Sequence, residues 1–355
     1  MRTLLSQLIE KAGPCGFEQE MANFLFKSLE NKVDELWIDG LGNVIAKKEG
    51  AYPGPTLMLS AHSDEVGFIV KKIEANGLLR FEKLGGHDDR TILCEKVHVH
   101  TQKGKLAGVI GCISCHMMRF DDPKKVRGYQ QMYIDIGAKD ANGAKELGVC
   151  VGDPITWATP YQEIGQNRAM GHGFDDKAGC CVVMKALEEV DFSKVHGTVY
   201  ASFSVQEELG LRGARVASQQ LQADVAIAID TTACSDTFEE MMDNTMCLGD
   251  GVGIKVIDHS SVSSLSLRRC LQNIATANEI PYQLEVFAGI GTDAGEMLKE
   301  KKGVPTCTLS IPSRYAHTPH EVIDLGDLTY TKDLLVQFIY SMKNKADYAF
   351  ILGEH

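Results

Sequence analysis

The sequence predicts an α/β fold interrupted by a β-rich insertion, and two observations predict it. Strand-length apolar runs alternate with amphipathic helical stretches in the first sixty or so residues and again after about residue 167. Between Gly67 and Tyr161 the texture changes to short alternating segments separated by glycines and charged turns. The expected division is a discontinuous α/β domain of residues 1–66 and 167–355, with residues 67–166 as the inserted domain. At 355 residues the chain is long enough for each part to bury its own core.

The opening stretch places Leu4, Leu5, Leu8 and Ile9 at helical spacing, and charge at Glu10 and Lys11 breaks it too early for an export signal. Pro14-Cys15-Gly16 makes a turn, and a second helix is expected from Phe17 to about Leu29. Strands over Glu35–Ile38 and Asn43–Lys47 flank the turn Asp39-Gly40-Leu41-Gly42. Thr56–Ser60 reads as a buried strand. The insertion is expected to hold strands at Gly67–Ile73, Leu78–Leu84, Lys96–Thr101, Lys105–Ile110, Met132–Ile136 and Pro154–Trp157. Asp175–Val190 is a helix with Cys180, Val183, Met184, Leu187 and Val190 on one face. Strand Thr198–Val205, helix Leu211–Leu221 and strand Asp224–Ile229 follow. The remaining elements are helices near Leu265–Asn278, Asp293–Lys301 and Leu328–Met342, with a strand at Thr306–Ile311.

Composition is that of a globular protein, 44% hydrophobic and 24% charged. A net charge of −12 disfavours nucleic acid and anionic membrane as partners, because both call for basic patches. No apolar run reaches the ~18 residues that span a bilayer, so a cytoplasmic location is expected. The eleven cysteines lack framework spacing and are expected to be reduced, small and buried. Cys112-Ile-Ser-Cys115-His116 matches a haem-attachment pattern, but without an export signal or a second ligand pair it reads as structural.

The chemistry gathers where open α/β sheets place their sites, outside the carboxyl ends of strands. His62, Glu207, Glu208 and Asp230 each follow an expected strand, His317 follows another, and Asp175 opens a helix. Imidazole and carboxylate donors with one carboxylate to spare suit a two-metal hydrolytic centre. Asp64, two residues beyond His62 on the same side of an extended backbone, reads as its orienting partner. In Glu207-Glu208 one carboxylate would bind metal and the other face the water, provided a turn at Leu209-Gly210 makes them converge. His320 competes with His317. His172 and His87-Asp88-Asp89 also have ligand chemistry, and His87 is set aside because it lies in the insertion.

Ala61-His-Ser-Asp-Glu-Val-Gly67, Phe174-Asp-Asp-Lys-Ala-Gly179, Val205-Gln-Glu-Glu-Leu-Gly-Leu-Arg-Gly-Ala214, Gly291-Thr-Asp-Ala-Gly295 and Arg314-Tyr-Ala-His317 resemble motifs of the tetrahedral-aminopeptidase family. That family groups dinuclear-metal peptidases, among them glutamyl aminopeptidases and FrvX-type proteins. The resemblance runs in order along nearly the whole chain. It implies a zinc-exopeptidase-like catalytic domain, a mixed sheet with helices on both faces, and an inserted barrel-like dimerisation domain. It implies two divalent ions, Zn²⁺ or Co²⁺, with His62 and Asp230 one on each side, Asp175 bridging, and Glu208 and His317 completing the shells. Glu207 would be the general base, Asp64 would keep its orienting role, and His320 would stand aside. Short peptides would be the substrates, and dimers would assemble into a homo-oligomeric dodecamer. A deacylase of small metabolites using the same site is the alternative, with a glycan hydrolase or a non-catalytic scaffold further behind. Cys15, Ala316, Thr318 and Glu296 depart from the family pattern, and Glu296 is the one expected to bear on the substrate pocket.

Overall fold

The computed structural model describes residues 1–350 apart from 121 and 123. Helices α1 (Arg2–Ile9) and α2 (Gln19–Leu29) lead into strands β1 (Glu35–Ile38), β2 (Val44–Glu49) and β3 (Tyr52–His62). Six strands then close a barrel: β4 (Gly67–Ile73), β5 (Leu79–Leu84), β6 (Lys96–Thr101), β7 (Gly104–Ile110), β8 (Ile134–Asp135) and β9 (Pro154–Trp157). A short helix, α3 (Ala141–Glu146), separates β8 from β9. The chain returns through β10 (Gln162–Ile164), β11 (Arg168–Gly171), α4 (Phe174–Glu189), β12 (His196–Ser204), α5 (Arg212–Leu221) and β13 (Val225–Ala233). It ends with β14 (Val252–Ile257), α6 (Leu265–Ala277), β15 (Tyr282–Val286), α7 (Ala294–Met297), β16 (Thr306–Arg314), β17 (Glu321–Asp324) and α8 (Leu325–Ser341).

Eleven strands form one mixed sheet in the order β1-β2-β12-β3-β13-β16-β17-β11-β10, with β14 on β16 and β15 on β14. The four central strands, β12, β3, β13 and β16, run parallel, so their carboxyl ends share one edge of the sheet. Their neighbours β2 and β17 run antiparallel.

Helices cover both faces, and the period of two along each strand shows how. Leu57, Leu59, Val225, Ile227 and Ile229 face a core that includes residues of α1, α2, α4, α6 and α8. The alternate residues Met58, Ala226 and Ala228, with Ile45, face a smaller core with Ala217 and Leu221 of α5 and Ala294 and Met297 of α7. Burial on both faces is why these strands read as continuous apolar runs. The barrel encloses a separate core around Phe68, Phe81 and Trp157, whose rings meet edge to face at 5.0 and 4.9 Å.

Local chemistry fixes the turns. Asp39 Oδ1 accepts from the backbone N–H groups of Leu41, Gly42 and Asn43, which ties the expected β1–β2 turn. Asp324 caps α8 by accepting from the Gly326 N–H at 2.7 Å, so that helix starts three residues before the expected Leu328. The expected helix over 293–301 contracts to one turn, α7. Five strands escaped the sequence reading: β10, β11, β14, β15 and β17. All are short, and β14 carries a buried Lys255 whose charge interrupts the apolar pattern.

The cysteine expectation needs correction. All eleven are free thiols, but Cys94, Cys112, Cys115 and Cys150 are exposed, because the strand ends and loops around the barrel leave them uncovered. Cys94 and Cys112 face each other with their Sγ atoms 2.9 Å apart. Among the described residues no helix is long and apolar enough to cross a membrane.

Candidate metal centre

Parallel register brings the first candidate ligands together. Ser60 on β3 pairs with Ala228 on β13, so His62 and Asp230, each two residues further on, stand level at the same edge. His62 Nε2 lies 3.6 Å from Asp230 Oδ1. Strand β13 continues through Asp230 to Ala233, so the aspartate sits within the strand and not after it.

Glu207 and Glu208 follow β12. The chain reverses at Gln206, whose positive φ of 53° starts the turn, while Gly210 and Leu211 N–H both donate to the Glu207 carbonyl at 2.8 Å. The turn therefore starts at Gln206, three residues ahead of Leu209. Asp64 holds it: its buried carboxylate accepts from the N–H of Glu207 at 2.9 Å and of Glu208 at 3.2 Å. The nearest contact of His62 Nδ1 is the Asp64 backbone carbonyl at 3.1 Å, with the carboxylate at 3.6 Å. Asp64 thus orients the imidazole mainly through its main chain and the glutamates through its side chain.

Asp175 and Asp176 are joined by a cis peptide and precede the regular turns of α4. The Asp175 carboxylate lies between two imidazoles, Oδ1 2.9 Å from His62 Nε2 and Oδ2 3.3 Å from His317 Nε2. His317 follows β16 in a left-handed conformation, φ 61°, and its Nε2 also lies 2.9 Å from Glu208 Oε1. Its Nδ1 faces the Gly86 carbonyl, 3.0 Å away, in the loop between β5 and β6 of the barrel. His320 points elsewhere and pairs with Glu95 at 3.2 Å.

The donor atoms fall into three overlapping groups: His62, Asp175 and Asp230; Asp175, Glu208 and His317; and His62, Glu207 and Glu208. His62 and Asp230 therefore share one side of Asp175, because β3 and β13 are adjacent parallel strands. The expectation places the two one on each side. Distance alone does not separate Glu207 from the ligands. The mixed imidazole and carboxylate set, without thiolate, fits divalent metal ions. Glu208 Oε1 is buried, and the atom facing it is His317 Nε2 at 2.9 Å, two donors converging as ligands of one ion would.

The electrostatics point the same way. Burial opposes charge on His62, yet Glu207, Asp175, Asp230 and Asp64 hold its pKa well above the usual imidazole value. Burial pushes the Glu207 carboxyl well up, with Asp230, Glu208 and Asp293 adding to it against His62. Burial likewise lifts Asp230 to about 7. Burial would raise Asp175 too, but its hydrogen bonds to His317 and His62 hold it below the usual carboxylate range. Such crowding of carboxylates demands nearby positive charge.

Three buried carboxylates that sequence reasoning missed support the cluster. Asp176 accepts from the His62 N–H at 3.2 Å and the Gly179 N–H at 2.9 Å. Asp293 accepts from Ser60 Oγ at 2.6 Å and Ser204 Oγ at 2.5 Å beneath the site. Glu321 accepts from the N–H of Asp175 and of His317, both at 3.1 Å. Burial, with Asp175 beside it, lifts the Glu321 carboxyl to about 8. Glu321→Ala is expected to weaken metal binding ~10–100-fold, the usual effect of losing a group that orients ligands. Titration against a competing chelator measures it. The orphaned N–H groups should also cost stability, about 1–3 kcal/mol each.

The remaining candidates lie elsewhere. His172 belongs to a buried group with Glu65 and Lys177, 3.3 Å from Glu65 Oε2. His87 stacks on Phe68 in the barrel at 4.5 Å, and Asp88 and Asp89 pair with Arg90 and Lys83. Glu296 pairs with Lys299 beside a separate hollow with Arg215, so it does not line the cavity at the cluster. That cavity, about 610 Å³, opens directly over His62, Asp175, Glu207, Glu208, Asp230 and His317.

The M42 glutamyl aminopeptidase family profile matches residues 42–334. The chain is 32% identical to a lysyl aminopeptidase of Pyrococcus furiosus, over 96% of this chain and 97% of that one. Its fold resembles aminopeptidase APDkam598 of the archaeon Desulfurococcus kamchatkensis with a TM-score of 0.94 and 35% identity, covering 99% and 98% of the two chains. It also resembles the TET1 peptidase of Pyrococcus horikoshii, described as assembling into a tetrahedron or a large octahedral shell. There the TM-score is 0.86 at 30% identity, over 96% of this chain and 99% of that one.

Proposed function

The chain belongs to the M42 glutamyl aminopeptidase family, and from that premise we propose that it releases N-terminal residues from short peptides at a centre of two divalent ions, Zn²⁺ or Co²⁺. The observation that carries this reading is Asp175, whose two oxygens face His62 and His317 from different strand ends. His62 and Asp230 would hold one ion and Glu208 and His317 the other, with Asp175 between them. When bound, the ions supply Lewis-acid polarisation of the scissile carbonyl and of the attacking water. Glu207 lines the cavity, and Asp64 holds its backbone so that the carboxylate stays aimed inward. It takes the proton of the attacking water at a carboxylate oxygen and returns it to the leaving amide nitrogen. Asp64 and the Gly86 carbonyl fix the outward ring nitrogens of His62 and His317, which leaves each Nε2 free to bind.

Stripping metal with a chelator should abolish release of the first residue from a pentapeptide, and Zn²⁺ or Co²⁺ should restore it. The N-acetylated peptide should stay intact throughout. Chelator-resistant cleavage, or cleavage of the acetylated peptide, would overturn the reading.

The barrel carries none of the proposed ligands and serves in this reading as the dimerisation domain of a dodecamer. Light scattering is expected to give a particle many times the 38.9 kDa of one chain. An active monomer would refute the assembly while leaving the chemistry intact.

A further inference from the structure

We propose that the cavity beside the metal cluster accepts a neutral, apolar N-terminal side chain, so that peptides beginning with glutamate or lysine are poor substrates. This rests on the aminopeptidase reading and adds which peptides it serves. Outside the cluster the wall is built largely from Leu211, Thr232, Ala233, His259, Ser260 and Ile290. Among the described residues no lysine or arginine lines it, and every carboxylate that does belongs to the cluster.

Two buried charges behind the wall are already engaged. Lys255 sits behind Thr232, fully buried, with Nζ 2.8 Å from Glu285 Oε1 and 3.4 Å from Thr232 Oγ1. Glu285 accepts in turn from Ser310 Oγ at 2.8 Å, so the pair is closed on itself. Asp258 lies under the Ser260 wall and is buried as well. Its Oδ1 accepts from the N–H and hydroxyl of Ser260, at 2.7 and 2.8 Å, and from the Ser261 N–H at 2.6 Å. Its Oδ2 accepts from Thr292 Oγ1 at 2.9 Å.

The wall is also fixed in place. A Cβ on Gly295 would stand 2.4 Å from the Ser260 side chain, so glycine there lets Ser260 pack close. A charged side chain entering this space would lose water and meet no lysine, arginine or carboxylate of the wall outside the cluster, whereas leucine or methionine gains from leaving water.

The experiment uses the metal-loaded full chain and the p-nitroanilides of leucine, methionine, alanine, glutamate and lysine. Leucine and methionine should exceed glutamate and lysine about 10²-fold in kcat/KM. Free leucine should inhibit at concentrations where free glutamate and lysine do not. Ile290→Arg should raise glutamyl relative to leucyl turnover about 10-fold by placing a counter-charge on the wall. Fastest release of glutamate or lysine would overturn the inference alone. A glutamate preference that vanishes in His259→Gln would overturn it and name His259 as the counter-charge. Silence across the whole panel would overturn the peptidase reading and this inference with it.

Discussion

Glu207→Gln is expected to keep its metal while kcat/KM falls ~10²–10⁴-fold, the range for losing a general base. Glutamine preserves shape, and the backbone N–H that Asp64 holds is untouched, so the turn should stay in place. Only the ability to take a proton is removed. The contrast with Glu208→Gln is what makes the measurement decisive, because both glutamates have an oxygen near His62. Glu208 also touches His317 and should lose metal when its charge goes. Metal analysis and kinetics on the two variants together test this. Equal metal loss from both would make Glu207 a ligand and leave the proton transfer without an agent.

His317→Ala is expected to lose at least ~10²-fold in affinity for one ion, with activity falling in parallel. That exceeds the usual effect of a group that merely orients a ligand. Its Nε2 faces both Asp175 and Glu208, so its removal opens one side of the centre. His320→Ala should retain both metal and turnover, since that ring lies half-exposed against Glu95. Metal stoichiometry on the two variants decides the matter. The reverse pattern would show that the wrong histidine of Arg314-Tyr-Ala-His-Thr-Pro-His320 had been taken.

The sequence made legible what depends on apolar runs and on strand ends. Strands β3, β12, β13 and β16 are buried on both faces, so composition alone marks them. Donors near the carboxyl edge of those strands or at a helix start stand out beside them, and His62, Asp175, Glu208, Asp230 and His317 do fall into overlapping groups. Glu321, Asp176 and Asp293 stayed hidden because they bind backbone N–H groups and serine hydroxyls, and no motif spacing marks such a role. Glu321 left one trace, an acid directly ahead of the apolar pair Val322-Ile323. That His62 and Asp230 stand together beside Asp175 also lay beyond sequence. It depends on strand order, and β13 lies beside β3 although 162 residues separate the end of one from the start of the other.

The 3.0 Å contact between Gly86 and His317 bears on any attempt to shorten this protein. A hydrogen bond of that length weakens sharply once its partners drift by half an ångström or so. The imidazole is therefore seated by a carbonyl borrowed from the inserted barrel, and the reaction centre straddles a seam between two separately packed cores. Excising the insertion and splicing residue 66 to residue 167 would leave every proposed ligand in the chain but strip one of its brace. A unit that keeps this histidine seated must therefore include the barrel, and a trimmed sheet domain should fold better than it catalyses.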